Sequence, residues 1–92
     1  MKQININGIS YEIVKDYNDA INEEEISLKL TDYFDDFDYV VGDWSYGKLR
    51  LKGFYNEENK KANINNSISS LENYLKNYCS YGCKYFVLYK RD

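Results

Sequence analysis

Two short alternating runs on either side of Asn7-Gly8 constrain this chain more than any other feature. Ile4-Asn5-Ile6 and Ile9-Ser10-Tyr11-Glu12-Ile13-Val14 alternate apolar and polar residues with the period of two that a half-buried strand requires. Asn-Gly supplies the two positive φ angles of a type I′ turn, whose twist matches that of the strands it joins. A two-residue loop pairs Ile6 with Ile9 and Ile4 with Tyr11, on one face with Ile13. That face has to be covered. An N-terminal hairpin therefore commits the chain to a sheet packed against other elements.

A polar connection, residues 15–22, leads to the first helix. Asn22 stands as N-cap with Glu25 three residues on, the amide form of a capping box, and Ile21 and Ile26 occupy the positions of a hydrophobic staple. Glu23, Glu24 and Glu25 fall in the first turn, where the helix dipole favours negative charge. Ile26, Leu30, Tyr33, Phe34 and Phe37 follow helical spacing, so the helix is predicted to end near Asp35 or Asp36. Its acids invite a metal-site reading, but Asp32, Asp35, Asp36 and Asp38 lack the Asp-x-Asp-x-Asp-Gly order of a calcium loop. A capped helix with a solvated face accounts for them.

Residues 39–43 read as a buried strand, Trp44-Ser45-Tyr46-Gly47 as a turn, and residues 48–55 as a second strand. Along it Leu49, Leu51, Gly53 and Tyr55 share one face, and Lys48, Arg50, Lys52 and Phe54 the other. A turn over residues 56–59 leads to a third expected strand, residues 60–64, completing a meander. A second helix follows, capped by Asn66 or by Ser69 with Glu72. Its buried stripe is Ile68, Leu71, Tyr74, Leu75, Tyr78 and Cys79, and Gly82 ends it. The continuous apolar run of residues 84–90 predicts a last strand that is central and buried on both faces. The order β-β-α-β-β-β-α-β predicts a single α+β domain spanning residues 1–92. Its mainly antiparallel sheet has five to six strands, both helices lie on one face, and the other face is partly open.

The chain has no His, which removes Ser-His and Cys-His dyads and any His-containing zinc site. Its two cysteines are too few for a structural zinc tetrahedron, and Cys79-Ser80-Tyr81-Gly82-Cys83 has the wrong spacing for a Cys-x-x-Cys redox motif. They read as buried thiols, with a reversible disulfide under oxidative stress as the minor alternative. No Gly-rich phosphate loop is present, and no cofactor or metal is expected. Asp43, beside Trp44 at a strand end, is the one carboxylate that an enzyme reading singles out, yet nothing pairs it with a second. No apolar run approaches the roughly 20 residues of a membrane span. The N-terminus lacks a signal peptide's apolar region, so a cytoplasmic location is expected.

The net charge of −3 conceals an asymmetry. Residues 1–45 hold three Lys against eleven acids, a balance of −8, and residues 46–92 hold nine Lys and Arg against four acids, a balance of +5. Within the basic half, Lys48, Arg50 and Lys52 recur about 7 Å apart along one strand face, close to the phosphate repeat of an extended nucleic-acid strand. Trp44, Tyr46 and Phe54 flank them and are spaced to stack bases, at about 1–3 kcal/mol each. Lys60, Lys61, Lys84, Lys90 and Arg91 extend this patch if their strands lie adjacent. The competing account is an ordinary solvated sheet face, where Lys also guards against edge-to-edge pairing. The acidic half counts against indiscriminate nucleic-acid binding.

Two stretches carry a family resemblance. Asp38-Tyr39-Val40-Val41-Gly42-Asp43-Trp44-Ser45-Tyr46-Gly47-Lys48-Leu49-Arg50-Leu51-Lys52-Gly53-Phe54-Tyr55 and Tyr78-Cys79-Ser80-Tyr81-Gly82-Cys83-Lys84-Tyr85-Phe86-Val87-Leu88 resemble the YutD-like family of small proteins from low-GC Gram-positive bacteria and their relatives. The likeness runs more loosely through the first hairpin and the acidic helix. It implies a compact cytoplasmic α+β domain and supplies no catalytic or cofactor residues, so none is carried over.

The sequence thus points to a non-enzymatic binding protein whose recognition residues are Trp44, Tyr46, Lys48, Arg50, Lys52 and Phe54. RNA or a ribonucleoprotein is the first expected partner. An acidic protein is the alternative, since Trp, Tyr and Arg also dominate protein hot spots. A small enzyme using Asp43 ranks behind both.

Overall fold

The N-terminal hairpin forms in the register its Asn-Gly turn dictates. β1 (Gln3–Ile6) pairs with β2 (Ile9–Tyr17) so that Ile4 faces Tyr11 and Ile6 faces Ile9. Asn7 and Gly8 carry φ of 53° and 82°. The computed structural model describes residues 2–78 and 83–91. After β2 come α1 (Glu23–Lys29), β3 (Tyr39–Ser45), β4 (Lys48–Phe54), α2 (Leu71–Tyr78) and β5 (Tyr85–Lys90). The five strands form one antiparallel sheet in the order β1-β2-β5-β3-β4. β5 closes the fold by inserting between two hairpins, and its Phe86, Val87 and Leu88 are all buried. The expected central strand is there.

Period-two alternation in β3 and β5 sends side chains to two cores. Val40, Phe86 and Leu88 join Ile6, Tyr11, Ile26, Leu30, Phe34 and Leu49 on the face covered by α1. Val41 and Val87 join Phe54 on the opposite face, against Ile68 just before α2 and Leu71 and Tyr74 within it. The helices therefore lie on opposite faces, not on one as expected. The physical reason is the doubly apolar Val40-Val41 and Phe86-Val87-Leu88, which load both faces of the central strands and require a cover on each.

α1 starts where predicted, with the Asn22 side chain accepting a 3.1 Å hydrogen bond from the Glu25 amide. It ends earlier, at Lys29, because Leu30 turns extended and drops into the core. The chain then resumes as a 3-10 turn over Asp32–Asp36 that buries Phe34. The break lets Phe37 lie over Gly53, where a Cβ would stand 2.3 Å from its ring. Gly42 serves Phe86 in the same way, at 2.1 Å.

The third strand of the expected meander is absent, because residues 60–64 form turns instead. Asparagine side chains bend them: Asn59 accepts from the Lys61 amide at 2.9 Å, and Asn63 from the amides of Asn65 and Asn66 at 2.8 and 3.1 Å. Such local bonds compete directly with a ladder. The segment before α2 is capped by Ser67, whose side chain accepts from the Ser69 amide, rather than by Asn66 or Ser69. Cys83 is disulfide-bonded, the minor alternative rather than the thiol expected first. Cys79 and the Gly82 cap lie outside the described residues. Among the described residues, no helix is long and apolar enough to cross a membrane.

Candidate interaction surface

β3 and β4 are joined by the two-residue turn Tyr46-Gly47, with φ of 53° and 75°, so Trp44 and Ser45 belong to the strand rather than to the turn. The register opposes Ser45 to Lys48, Trp44 to Leu49, Asp43 to Arg50 and Val41 to Lys52. Residues opposed in a ladder share a face. Lys48, Arg50 and Lys52 thus lie on the α2 side with Asp43 and Val41, whereas Trp44 lies on the α1 side with Leu49.

This sorts the six predicted recognition residues. Trp44 packs against the α1 core, its indole Nε1–H donates to the Ala20 carbonyl at 2.8 Å, and the Lys84 ammonium stands 4.9 Å from its ring. Phe54 is 0% exposed, edge-on to Tyr74 at 5.6 Å, and is core rather than a stacking surface. Tyr46 is fully exposed at the hairpin tip. Lys48 is exposed, and Lys52 is half-buried with its ammonium 5.2 Å from the Phe54 ring and 5.7 Å from the Tyr74 ring. The structure therefore leaves Tyr46, Lys48, Arg50 and Lys52 at the surface of the β3–β4 hairpin and packs Trp44 and Phe54 of the same hairpin into the two cores.

Arg50 has a structural task. Its guanidinium donates to Asp43 Oδ2 at 2.5 Å, with the Asp43 side chain 1% exposed and that of Arg50 44% exposed. The Tyr74 hydroxyl donates to the other carboxylate oxygen at 3.4 Å. The bond to Asp43 raises the Arg50 pKa above its ordinary value. Asp43 is held as a buried counter-ion, a poor placement for a carboxylate meant to meet substrate.

Three of the more distant cations are engaged elsewhere. Lys61 pairs with Asp36 at 2.6 Å, Arg91 with Glu12 at 3.3 Å, and Lys90 donates to the Asp35 carbonyl. Acids of the first half pair with cations of the second at Asp36–Lys61, Asp43–Arg50 and Glu12–Arg91.

One part of the surface escaped the sequence reading. A groove of about 410 Å³ runs between Lys52 on β4 and α2, lined by Ile64, Asn65, Ser70, Asn73, Tyr74 and Asn77. Ile64 stands 86% exposed at its margin. The available signal was Asn73 and Asn77, four residues apart and so on one helix face. Among the described residues, no cluster of three or more His, Cys, Asp or Glu is placed to hold a metal ion.

Residues 5–89 match the family described as "Putative antitoxin YutD-like". The chain belongs to the YutD-like family. It is 45% identical over 83 residues to "Putative antitoxin YutD" of Bacillus subtilis (strain 168), a match covering 90% of this chain and 91% of that relative. The solution NMR structure of protein yutD from B. subtilis superimposes with a TM-score of 0.81 at 42% identity, covering 99% of this chain and 83% of that one. The family and the α+β fold stand as the sequence indicated.

Proposed function

We propose that this YutD-like protein is a binding protein rather than a catalyst, and that it seats an acidic surface of a partner protein against the α2-facing side of β4. The observation that carries this reading is the placement of Lys48, Arg50 and Lys52 on one face of an edge strand, bordered by an amide-lined groove. Charge complementarity of this kind sets both partner choice and association rate. The B. subtilis relative carries the name "Putative antitoxin YutD", which favours a protein partner. The burial of Asp43 against Arg50 speaks against the enzyme reading.

RNA is the second reading, favoured by the fully exposed Tyr46 ring beside Lys48. With Trp44 and Phe54 packed inward, Tyr46 is the one exposed ring left of the three predicted stacking residues. A tagged pulldown from native cells, with and without nuclease, separates the two. The variant to compare is Lys48→Glu with Lys52→Glu. Charge reversal at Arg50 would set a second carboxylate against buried Asp43 and test stability instead. A nuclease-resistant partner lost from the folded double variant supports the proposal. Nuclease-sensitive capture supports RNA, and a partner retained by the double variant removes this surface from consideration.

A further inference from the structure

β4 ends the sheet, so among the described residues no further strand runs beside its outer side. In a two-residue hairpin the closing pair, here Ser45 and Lys48, exchanges both ladder hydrogen bonds, and hydrogen-bonded pairs then alternate along the strands. Lys48, Arg50 and Lys52 therefore turn their peptide groups toward β3. The hydrogen bond from the Trp44 amide to the Lys84 carbonyl, on the β5 side, fits the same alternation. It follows that Leu49, Leu51 and Gly53 direct their N–H and C=O groups away from the sheet.

The next position in this series is already occupied by the chain itself. The Tyr55 amide donates to the Asn66 carbonyl at 2.7 Å, the Ile68 amide donates to the Tyr55 carbonyl at 2.8 Å, and Tyr55 forms a parallel bridge with Ser67. The edge thus takes an extended segment at its C-terminal end. The same geometry continues for six residues, Lys48 to Gly53, or about 20 Å.

We propose that this open stretch of β4 takes up an acidic, extended segment of the partner protein as a sixth strand. This rests on the reading of the β4 side as the docking surface and adds the mode of docking. Main-chain bonds to Leu49, Leu51 and Gly53 supply affinity, and the alternating side chains supply selection. On one face the incoming strand meets Lys48 and Lys52, with Arg50 between them already paired to Asp43, which calls for Asp or Glu opposite the two lysines. On the other it meets the side of Leu49 and Leu51, which calls for apolar residues between them. A second copy of this chain is disfavoured, because antiparallel β4–β4 pairing centred on Leu51 sets Arg50 opposite Lys52.

The test uses the full-length protein, isotope-labelled for NMR, and a capped hexapeptide alternating glutamate and valine. Its control carries lysine in place of glutamate. Two further peptides are N-methylated, one at every valine and one at every glutamate. Strand addition predicts slowed amide exchange at Leu49, Leu51 and Gly53 with the glutamate peptide and none with the lysine control. It also predicts that one methylated set binds at least about tenfold more weakly than the other, since only alternate peptide N–H groups face β4. The valine set is the weaker for antiparallel addition and the glutamate set for parallel. Equal loss in both sets, or no protection with millimolar glutamate peptide, overturns strand addition. If either occurs while Lys48→Glu with Lys52→Glu still releases the nuclease-resistant partner, the docking surface stands and only its mode falls.

Discussion

Replacing Arg50 by Met isolates the energetic demand of the buried carboxylate. Arg50→Met keeps the length of the aliphatic stem but leaves Asp43, 1% exposed, with the Tyr74 hydroxyl at 3.4 Å as its other side-chain hydrogen bond among the described residues. That distance is well beyond the 2.7–2.8 Å of a good hydroxyl hydrogen bond and compensates little. Removing one partner of a buried ion pair costs about 3–5 kcal/mol. The lower end applies here, because the guanidinium is half in water and relaxation around it is easier. For a domain of this size about 3 kcal/mol corresponds to a fall in Tm of roughly 12–24 °C. The asymmetry of the pair supplies the control. Asp43→Leu combined with Arg50→Met removes both charges, leaves no orphan, and is expected within about 1 kcal/mol of the parent protein. Urea denaturation at neutral pH followed by circular dichroism measures all three proteins. The reasoning fails if Arg50→Met costs less than about 1 kcal/mol, or if the double variant is no better than the single one.

Two further expectations concern packing and pH. Gly42→Ala drives a Cβ to 2.1 Å from the Phe86 ring, which is fully buried, so the cost is expected in the range of about 1–3 kcal/mol for overpacking. Gly53→Ala meets the half-buried Phe37 ring, which has room to move, and is expected to cost less by the same denaturation assay. The reverse ranking refutes this view of the two rings. The Asp36 carboxyl is held below its ordinary value of 3.8, first by the hydrogen bond from Lys61 and then by that from Tyr55. A depressed carboxyl contributes stability that is present above the unfolded value and is lost as pH falls through the folded one. Tm should therefore decline below about pH 4, and Lys61→Met should flatten part of that decline. Identical acid limbs in the two proteins would remove Lys61 as the cause.

Local chemistry alone decided several elements. Asn7-Gly8 sets the register of the first hairpin, and Asn22 with Glu25 sets the start of α1, because each depends on bonds within a few residues. The continuous apolar run of β5 was enough to place that strand at the centre. Where asparagines compete for the backbone, as in residues 60–64, the same local view wrote a strand that side-chain hydrogen bonds dissolve.

Tertiary structure decided the rest. Alternation in β4 gave the correct face for Lys48, Arg50 and Lys52, but only the second core shows that Phe54 on that face is buried beneath Tyr74. The separation of Trp44 from the basic residues follows from ladder register, a pairing between strands that no single strand encodes. The partner of Asp43 lies seven residues away across a turn, and the groove beside Lys52 is completed by α2, more than twenty residues further along. Sequence determined which residues carry charge and where the first hairpin and the central strand form, since those depend on neighbours along the chain. Which charges remain available to a partner was fixed by contacts between distant segments, because burial belongs to the assembled sheet and its two covers.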